Sequence, residues 1–184
     1  QKIDRSHIGY MESQDGINWI RPHRVLHDPA TIQFGSEVID EGPDYFDPEQ
    51  RYKYGYWFNG GLFIAVSPDG IHFKPLVDRI VLRHDHDINN ISWDPVRKCY
   101  AAIVSTYTTD PEWEGLRRVT KQSFSKDLVN WMEPWYVVRP DKTKDEGITQ
   151  FYGMSGFLTR GSVRIGMVKV LRDDLKADEP PLIE

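Results

Sequence analysis

A seven-residue segment occurs three times in this chain, and it limits the possible fold more than any other feature. The copies are Ser13-Gln14-Asp15-Gly16-Ile17-Asn18-Trp19, Ser67-Pro68-Asp69-Gly70-Ile71-His72-Phe73 and Ser125-Lys126-Asp127-Leu128-Val129-Asn130-Trp131. Their starts lie 54 and 58 residues apart. Repeats of that period are the mark of stacked sheets or propeller blades. The residue types have local reasons. Ser and Asp side chains bond to nearby backbone N–H groups and support tight turns. Glycine reaches positive φ without steric cost. The closing aromatic can plug the space between two packed sheets. Each copy predicts a pinned turn, which is a structural role rather than a chemical one.

A second repeat runs alongside the first. Asp47-Pro48 and Asp94-Pro95 each open a turn between strand-like segments, where proline presets φ and Asp caps the bend. Aligning the two puts Phe46 on Trp93 and Tyr52 near Tyr100. Residues 45–54 predict strand, turn and strand. Residues 52–58 and 62–66 predict a hairpin about Asn59-Gly60-Gly61. Residues 88–93, 99–106 and 117–123 predict the strands of the next unit, with 109–115 as an insertion. Residues 149–154 open a last unit that turns at Arg160-Gly161 and continues over 162–171. No long stretch has helical periodicity. The expected fold is all-β, a β-propeller of antiparallel blades, with about three blades in residues 1–171 and a charged, Pro-rich tail over 172–184.

Composition narrows the function. Aromatic residues make up 12% of the 184 residues, with six Trp and nine Tyr, which suits strands and carbohydrate stacking alike. The net charge is −5 and the basic residues are dispersed, so no nucleic-acid partner is expected. No apolar run approaches the roughly 18 residues of a membrane helix. Cys99 is the single cysteine, which leaves neither an internal disulfide nor a multi-Cys metal site. Its apolar neighbours predict a buried, inert thiol. There is no signal-peptide pattern and no initiating Met, and the chain reads as a fragment.

Ser125-Lys126-Asp127-Leu128-Val129-Asn130-Trp131 resembles the S-x-D-L-x-x-W element of glycoside hydrolase families 32 and 43 and their relatives, which are five-bladed β-propellers. The stretch from Asp87 to Tyr100 and the run Phe151-Tyr152-Gly153-Met154 also resemble blade openings of that group, and the similarity spans most of residues 7–171. The sialidase Asp-box is similar but has one more residue between Asp and Gly. The resemblance implies a glycoside hydrolase acting on a terminal sugar, with a secreted or periplasmic location. It also implies a ring that this length does not complete, so self-association or a missing segment is expected to close it.

Enzymes of these families place three carboxylates at the propeller axis, because glycosidic cleavage passes through an oxocarbenium-like transition state. Counting seven residues back from each Asp-Pro turn gives Asp40 and Asp87. Asp40 is expected as base or nucleophile and Asp87 as the stabilising carboxylate, with Glu41, Asp44 and Asp85 as nearby alternatives. The same count in the last unit lands on Tyr152, so Glu146, in the loop before it, is the candidate acid. His84, His86, Trp113, Arg117, Gln150 and Tyr152 are the candidate substrate-binding residues. Trp113 lies in a polar insertion and is expected to be an exposed platform. Trp57 and Phe58 are further stacking candidates. Arg117-Arg118 could take an acidic group. No metal or other cofactor is expected. His84 and His86 alternate as a strand pair would but have no third ligand nearby, and no loop carries a calcium pattern. The alternative function is a non-catalytic propeller that binds glycans or a protein.

Overall fold

The computed structural model describes residues 8–22, 24–25, 34–113, 115–141, 143–145, 149–155 and 157–172. Within them the chain is all-β and its strand pairs are antiparallel; no sheet closes into a barrel. A small pair comes first, β1 (Ile8–Gly9) with β2 (Arg24–Val25). The next sheet runs β3 (Phe34–Asp40), β4 (Tyr52–Trp57), β5 (Gly61–Ser67) and β6 (Lys74–Pro75), with β7 (Leu82–Arg83) also pairing β5. A further sheet runs β8 (Asn89–Asp94), β9 (Cys99–Thr108), β10 (Arg117–Ser125) and β11 (Trp135–Val138). The last unit holds β12 (Thr149–Met154), a hairpin of β13 (Leu158–Arg160) and β14 (Val163–Ile165), and β15 (Val168–Arg172), which returns to pair β12. Arg172 is thus strand rather than the start of a tail.

Alternation along these strands builds the core. Leu62 and Ile64 of β5 meet Ile91, Tyr100, Ala102 and Val104 of β8 and β9, with Val81, Leu82 and Leu128 closing the cluster. A second cluster gathers Tyr54, Tyr56, Ala65 and Phe73. Cys99 lies in a third, with Ala101 and Phe124, and burial raises its thiol pKa, as for an inert core cysteine.

The three repeated turns share one hydrogen-bond pattern. Ser67 Oγ donates to Asp69 Oδ1 at 2.9 Å and accepts from the Gly70 N–H at 3.0 Å. Asp69 Oδ1 accepts from the N–H groups of Ile71 and His72, each at 2.8 Å. The Asp15 and Asp127 carboxylates accept from the equivalent pairs, Ile17 with Asn18 and Val129 with Asn130. The fourth position needs positive φ: 73° at Gly16, 75° at Gly70 and 63° at Leu128. An L-residue there costs roughly 1–2 kcal/mol. Leu128 is 1% exposed and packs in the first core cluster, and burying a leucine yields about 1.5–3 kcal/mol, enough to offset the strain. The aromatic anchors differ. Phe73 is buried against Tyr54 and Trp131 is half-buried against the core, whereas Trp19 is 54% exposed and plugs no gap among the described residues.

The Asp-Pro alignment survives in part: it matches Tyr52 with Tyr100 correctly but misplaces Phe46. Tyr52 pairs with Ser67, and Tyr100 pairs with Ser125, so these two tyrosines are equivalent. Their partners on the other side are Asp40 and Trp93. Asp40 therefore occupies the position of Trp93, and Phe46 is an exposed loop residue. The reason is loop length. β8 turns into β9 through residues 95–98, whereas residues 41–51 join β3 to β4 and include a short 3-10 turn, Pro48–Gln50, capped by Asp47. Tyr45 and Phe46 are not strand.

Asp94 ties the last unit to the rest. It is fully buried at the end of β8 and accepts from the N–H groups of Val96 and Arg97, both at 3.0 Å. Its Oδ2 is 3.0 Å from Arg97 Nη1 and 2.6 Å from Arg164 Nη1 on β14. Removing one partner of such a buried pair strands the other charge. Asp94→Ala should lower the unfolding free energy by about 3–5 kcal/mol, read from urea unfolding curves. A curve that overlays wild type would show that this link carries no stability.

Candidate functional site

The segment just before β8 is held at four points before its side chains do anything. Trp57 Nε1 donates to the His84 carbonyl at 3.1 Å. His84 Nδ1 lies 2.7 Å from the His86 carbonyl. Asp85 Oδ1 accepts from Thr106 Oγ1 at 2.5 Å and from the Tyr107 N–H at 2.9 Å. The Ile88 carbonyl accepts from the Ser105 N–H at 3.0 Å. Two of these anchors, at Asp85 and Ile88, depend on β9 lying in register.

The clamp presents His86. Its ring is 8% exposed and meets the rings of Tyr107 and Tyr152 edge-on, at centroid separations of 5.4 and 5.6 Å. Nδ1 is 3.2 Å from Asp87 Oδ1 but makes no hydrogen bond to it or to any other described residue. Burial lowers the His86 pKa and the nearby Arg118 charge adds to this, against the pull of Asp87. The imidazole is neutral at neutral pH and able to accept a proton.

Arg118 covers the same aromatic rings. Its guanidinium carbon stands 4.5 Å from the Tyr152 centroid and 5.1 Å from that of Tyr107. Nε donates to the Tyr107 hydroxyl at 2.7 Å, and the backbone N–H donates to Gln150 Oε1 at 2.9 Å. Ser105 Oγ donates to the Tyr152 carbonyl at 3.1 Å, which pins β12 to β9. Gly153 permits this approach, since a Cβ there would lie 2.9 Å from the Ile88 side chain. Asn89 and Asn90 are each 8% exposed at the start of β8. The Asn89 amide and Asn90 Oδ1 have no hydrogen-bond partner among the described residues.

His84, His86, Asp87, Gln150 and Tyr152 are therefore gathered at one end of the sheets, with Tyr107 and Arg118. The other sequence-predicted residues fall elsewhere. Asp40 is exposed and forms a two-pronged pair with Arg51, at 2.7 and 2.8 Å. That pairing lowers its pKa. By the strand register Asp40 matches Trp93, six residues beyond Asp87, or roughly 20 Å along the strand. The two carboxylates sit at opposite ends. Glu146 lies outside the described residues. Trp113 is 7% exposed, edge-on to Tyr136 and beneath Arg139, so it is no open platform. Arg117 is buried, with Nη1 3.4 Å from the Thr149 carbonyl. Strand alternation turns it away from its neighbour Arg118.

Glu37 is a carboxylate that counting from the turns missed. It lies at the register shift of β3, between Gly35 and Val38. Burial raises its pKa, while bonds from the Asn90 side chain and the Ile91 backbone oppose this. An acid inside a seven-residue strand was the available signal. A cleft of about 790 Å³ opens elsewhere, along β11, lined by residues including Glu112, Tyr136 and Arg139. Its size does not make it the better site, because Arg139 is already paired with Asp110 at 2.7 Å and Glu112 at 3.1 Å. No group of three or more His, Cys, Asp or Glu side chains is placed to hold a metal among the described residues.

Burial moves His84 from an ordinary 6.5 to about 4. Between those values the unfolded chain binds a proton that the folded chain does not. The stability contributed by this group is complete above pH 6.5 and falls as pH drops towards 4, by about 3 kcal/mol in all. Urea unfolding across that window reads the slope, and His84→Gln should remove this share of it. An unchanged slope would show that His84 titrates alike in the folded and unfolded chain.

No protein-family model matches the sequence. No curated protein sequence matches it. Among solved structures the chain is similar to an N-acetylgalactosamine deacetylase from F. plautii in complex with blood group B trisaccharide, with a TM-score of 0.53 and 13% identity over 88% of this chain. The chain spans 53% of that protein's length, about half. At this identity the likeness is one of fold.

Proposed function

We propose that the chain contributes blades to a carbohydrate-active β-propeller of the five-bladed type, and that the Asp87 end of β8 binds the sugar and hydrolyses it. The observation that carries this reading is the convergence of His86, Asp87, Tyr107, Arg118, Gln150 and Tyr152 at one end of three strands. Aromatic faces stack on the apolar side of a sugar ring, and fixed polar groups sort its hydroxyls. The resemblance to glycoside hydrolase families 32 and 43 agrees with it, as does the likeness in fold to a glycan-modifying enzyme.

Glycosidic cleavage is the first reading. Asp87 is the carboxylate at the sugar. Glu37, kept protonated to higher pH by burial, is the acid among the described residues. It bonds to Asn90, near the start of β8. A second reading starts from His86, whose buried imidazole has a lowered pKa and an unpartnered Nδ1. A neutral imidazole can take a proton from water, which suits removal of an acyl group from a sugar.

Incubation with a panel of neutral, N-acetylated and acidic oligosaccharides separates the readings by product. New reducing ends support the first, and Asp87→Asn should slow their release about 10²-fold or more while binding persists. Acetate without new reducing ends, lost in His86→Gln, supports the second. Binding with neither product, unchanged by Asp87→Asn, overturns hydrolysis and favours a non-catalytic glycan-binding module.

A further inference from the structure

Arg118 is held in a different way from four other arginines of the fold. Arg51, Arg97, Arg139 and Arg164 each pair with a carboxylate at 2.6–3.0 Å. Among the described residues no carboxylate pairs with Arg118. Asp85, the nearby acid on the segment before β8, is already engaged by Thr106 and Tyr107. Its side chain is nonetheless fixed, between two tyrosine rings and by the bond from Nε to the Tyr107 hydroxyl. Nη1 is sealed from solvent and has no hydrogen-bond partner.

A cation held in this way is costly unless a counter-charge arrives. The tyrosine rings supply cation–π attraction and the Tyr107 hydroxyl accepts from Nε, but neither tyrosine supplies a negative charge. Burying an unpaired charged donor is unfavourable by more than a neutral one. The same features make a good receptor. The fork is rigid, its long axis is set by the stacked rings, and its planar donors match a carboxylate. The charge also reaches His86, whose pKa it lowers. Arg118 thus lies close to the groups assigned above to the sugar.

We infer that Arg118, stacked between Tyr107 and Tyr152 with Nη1 unpartnered, anchors an anion subsite, and that the sugar bound at this end carries an acidic group. The inference rests on the carbohydrate reading of this site and adds the substrate class. The group is a negatively charged oxygen cluster on the sugar. A uronic-acid carboxylate and a sulfate ester are its two sources, and the planar carboxylate is the better match to one guanidinium edge.

The test is calorimetry of the intact chain with four probes: a disaccharide ending in glucuronic acid, its methyl ester, the neutral parent and a sulfated parent. Wild type should bind the acid about tenfold or more tightly than its methyl ester, with added salt narrowing the gap. Arg118→Gln should bring acid and ester to parity. Arg118→Lys should keep part of the preference, because charge remains while the fork is lost. Tightest binding of the sulfated probe supports the subsite and names sulfate as its source. Equal wild-type binding of all four probes overturns the anion subsite and leaves the carbohydrate reading standing. Failure to bind any probe overturns both. The acid and ester comparison is made on wild type, so it holds even if a variant fails to fold.

Discussion

The Asp87 end of the molecule depends on the register of β9. This ten-residue strand pairs with β8 on one side and β10 on the other along most of its length. Tyr100, Ala102 and Val104 point into the core shared with β5, while Cys99 and Ala101 pack with Phe124. Both faces are buried, so a slip of one residue would exchange them. Ala101 and Ala102 are both fully buried, and a larger side chain at either would overpack the core. Held there, β9 carries Ser105 to the Tyr152 carbonyl and Thr106 and Tyr107 to Asp85. The core therefore sets the site residue by residue along one strand.

The same alternation divides Arg117 from Arg118. On β10 one faces the Thr149 carbonyl and the other the tyrosines. Exchanging their roles would take a one-residue shift of β10, and its nine-residue pairing with β9 forbids that. β12 can come close enough to supply Gln150 and Tyr152 because residue 153 is glycine. A side chain there would press on Ile88, and Ile88 follows directly on His86 and Asp87. A packing constraint in the core is thus also a constraint on the position of the candidate site.

Features made by neighbours in sequence were legible from sequence. The three Ser-Asp turns and the Asn59-Gly60 hairpin follow from local hydrogen bonding and positive φ, and the structure contains them. The all-β class followed from strand-like segments between those turns. Features made by distant residues were not legible. Equating Asp40 with Asp87 required equal loops, but one connection runs over 41–51 and the other over 95–98. A register shift in β3 moved the count again and brought Glu37 towards β8. Trp113 lies in a polar stretch, yet Tyr136 and Arg139 cover it. Which arginine of the Arg117-Arg118 pair faces the tyrosines is decided by the register of β10 on β9.

The two ends of β8 treat buried charge in opposite ways. At the far end Arg164 is largely buried, and its Nε and Nη2 have no hydrogen-bond partner. Its charge is nevertheless matched by Asp94 at 2.6 Å, and the Phe157 ring covers its face at 4.1 Å. At that end the charge is matched within the fold. At the near end the Arg118 charge meets no carboxylate among the described residues, and the Asn89 amide and Asn90 Oδ1 also lack partners. Each such group costs about 1–3 kcal/mol when it is left unsatisfied. A fold with a stability of about 5–15 kcal/mol tolerates a cluster of them poorly unless a ligand supplies the missing bonds. The contrast distinguishes a structural charge from one held ready for a ligand. It selects the Asp87 end over the Asp40 end, where the carboxylate is already closed off by Arg51.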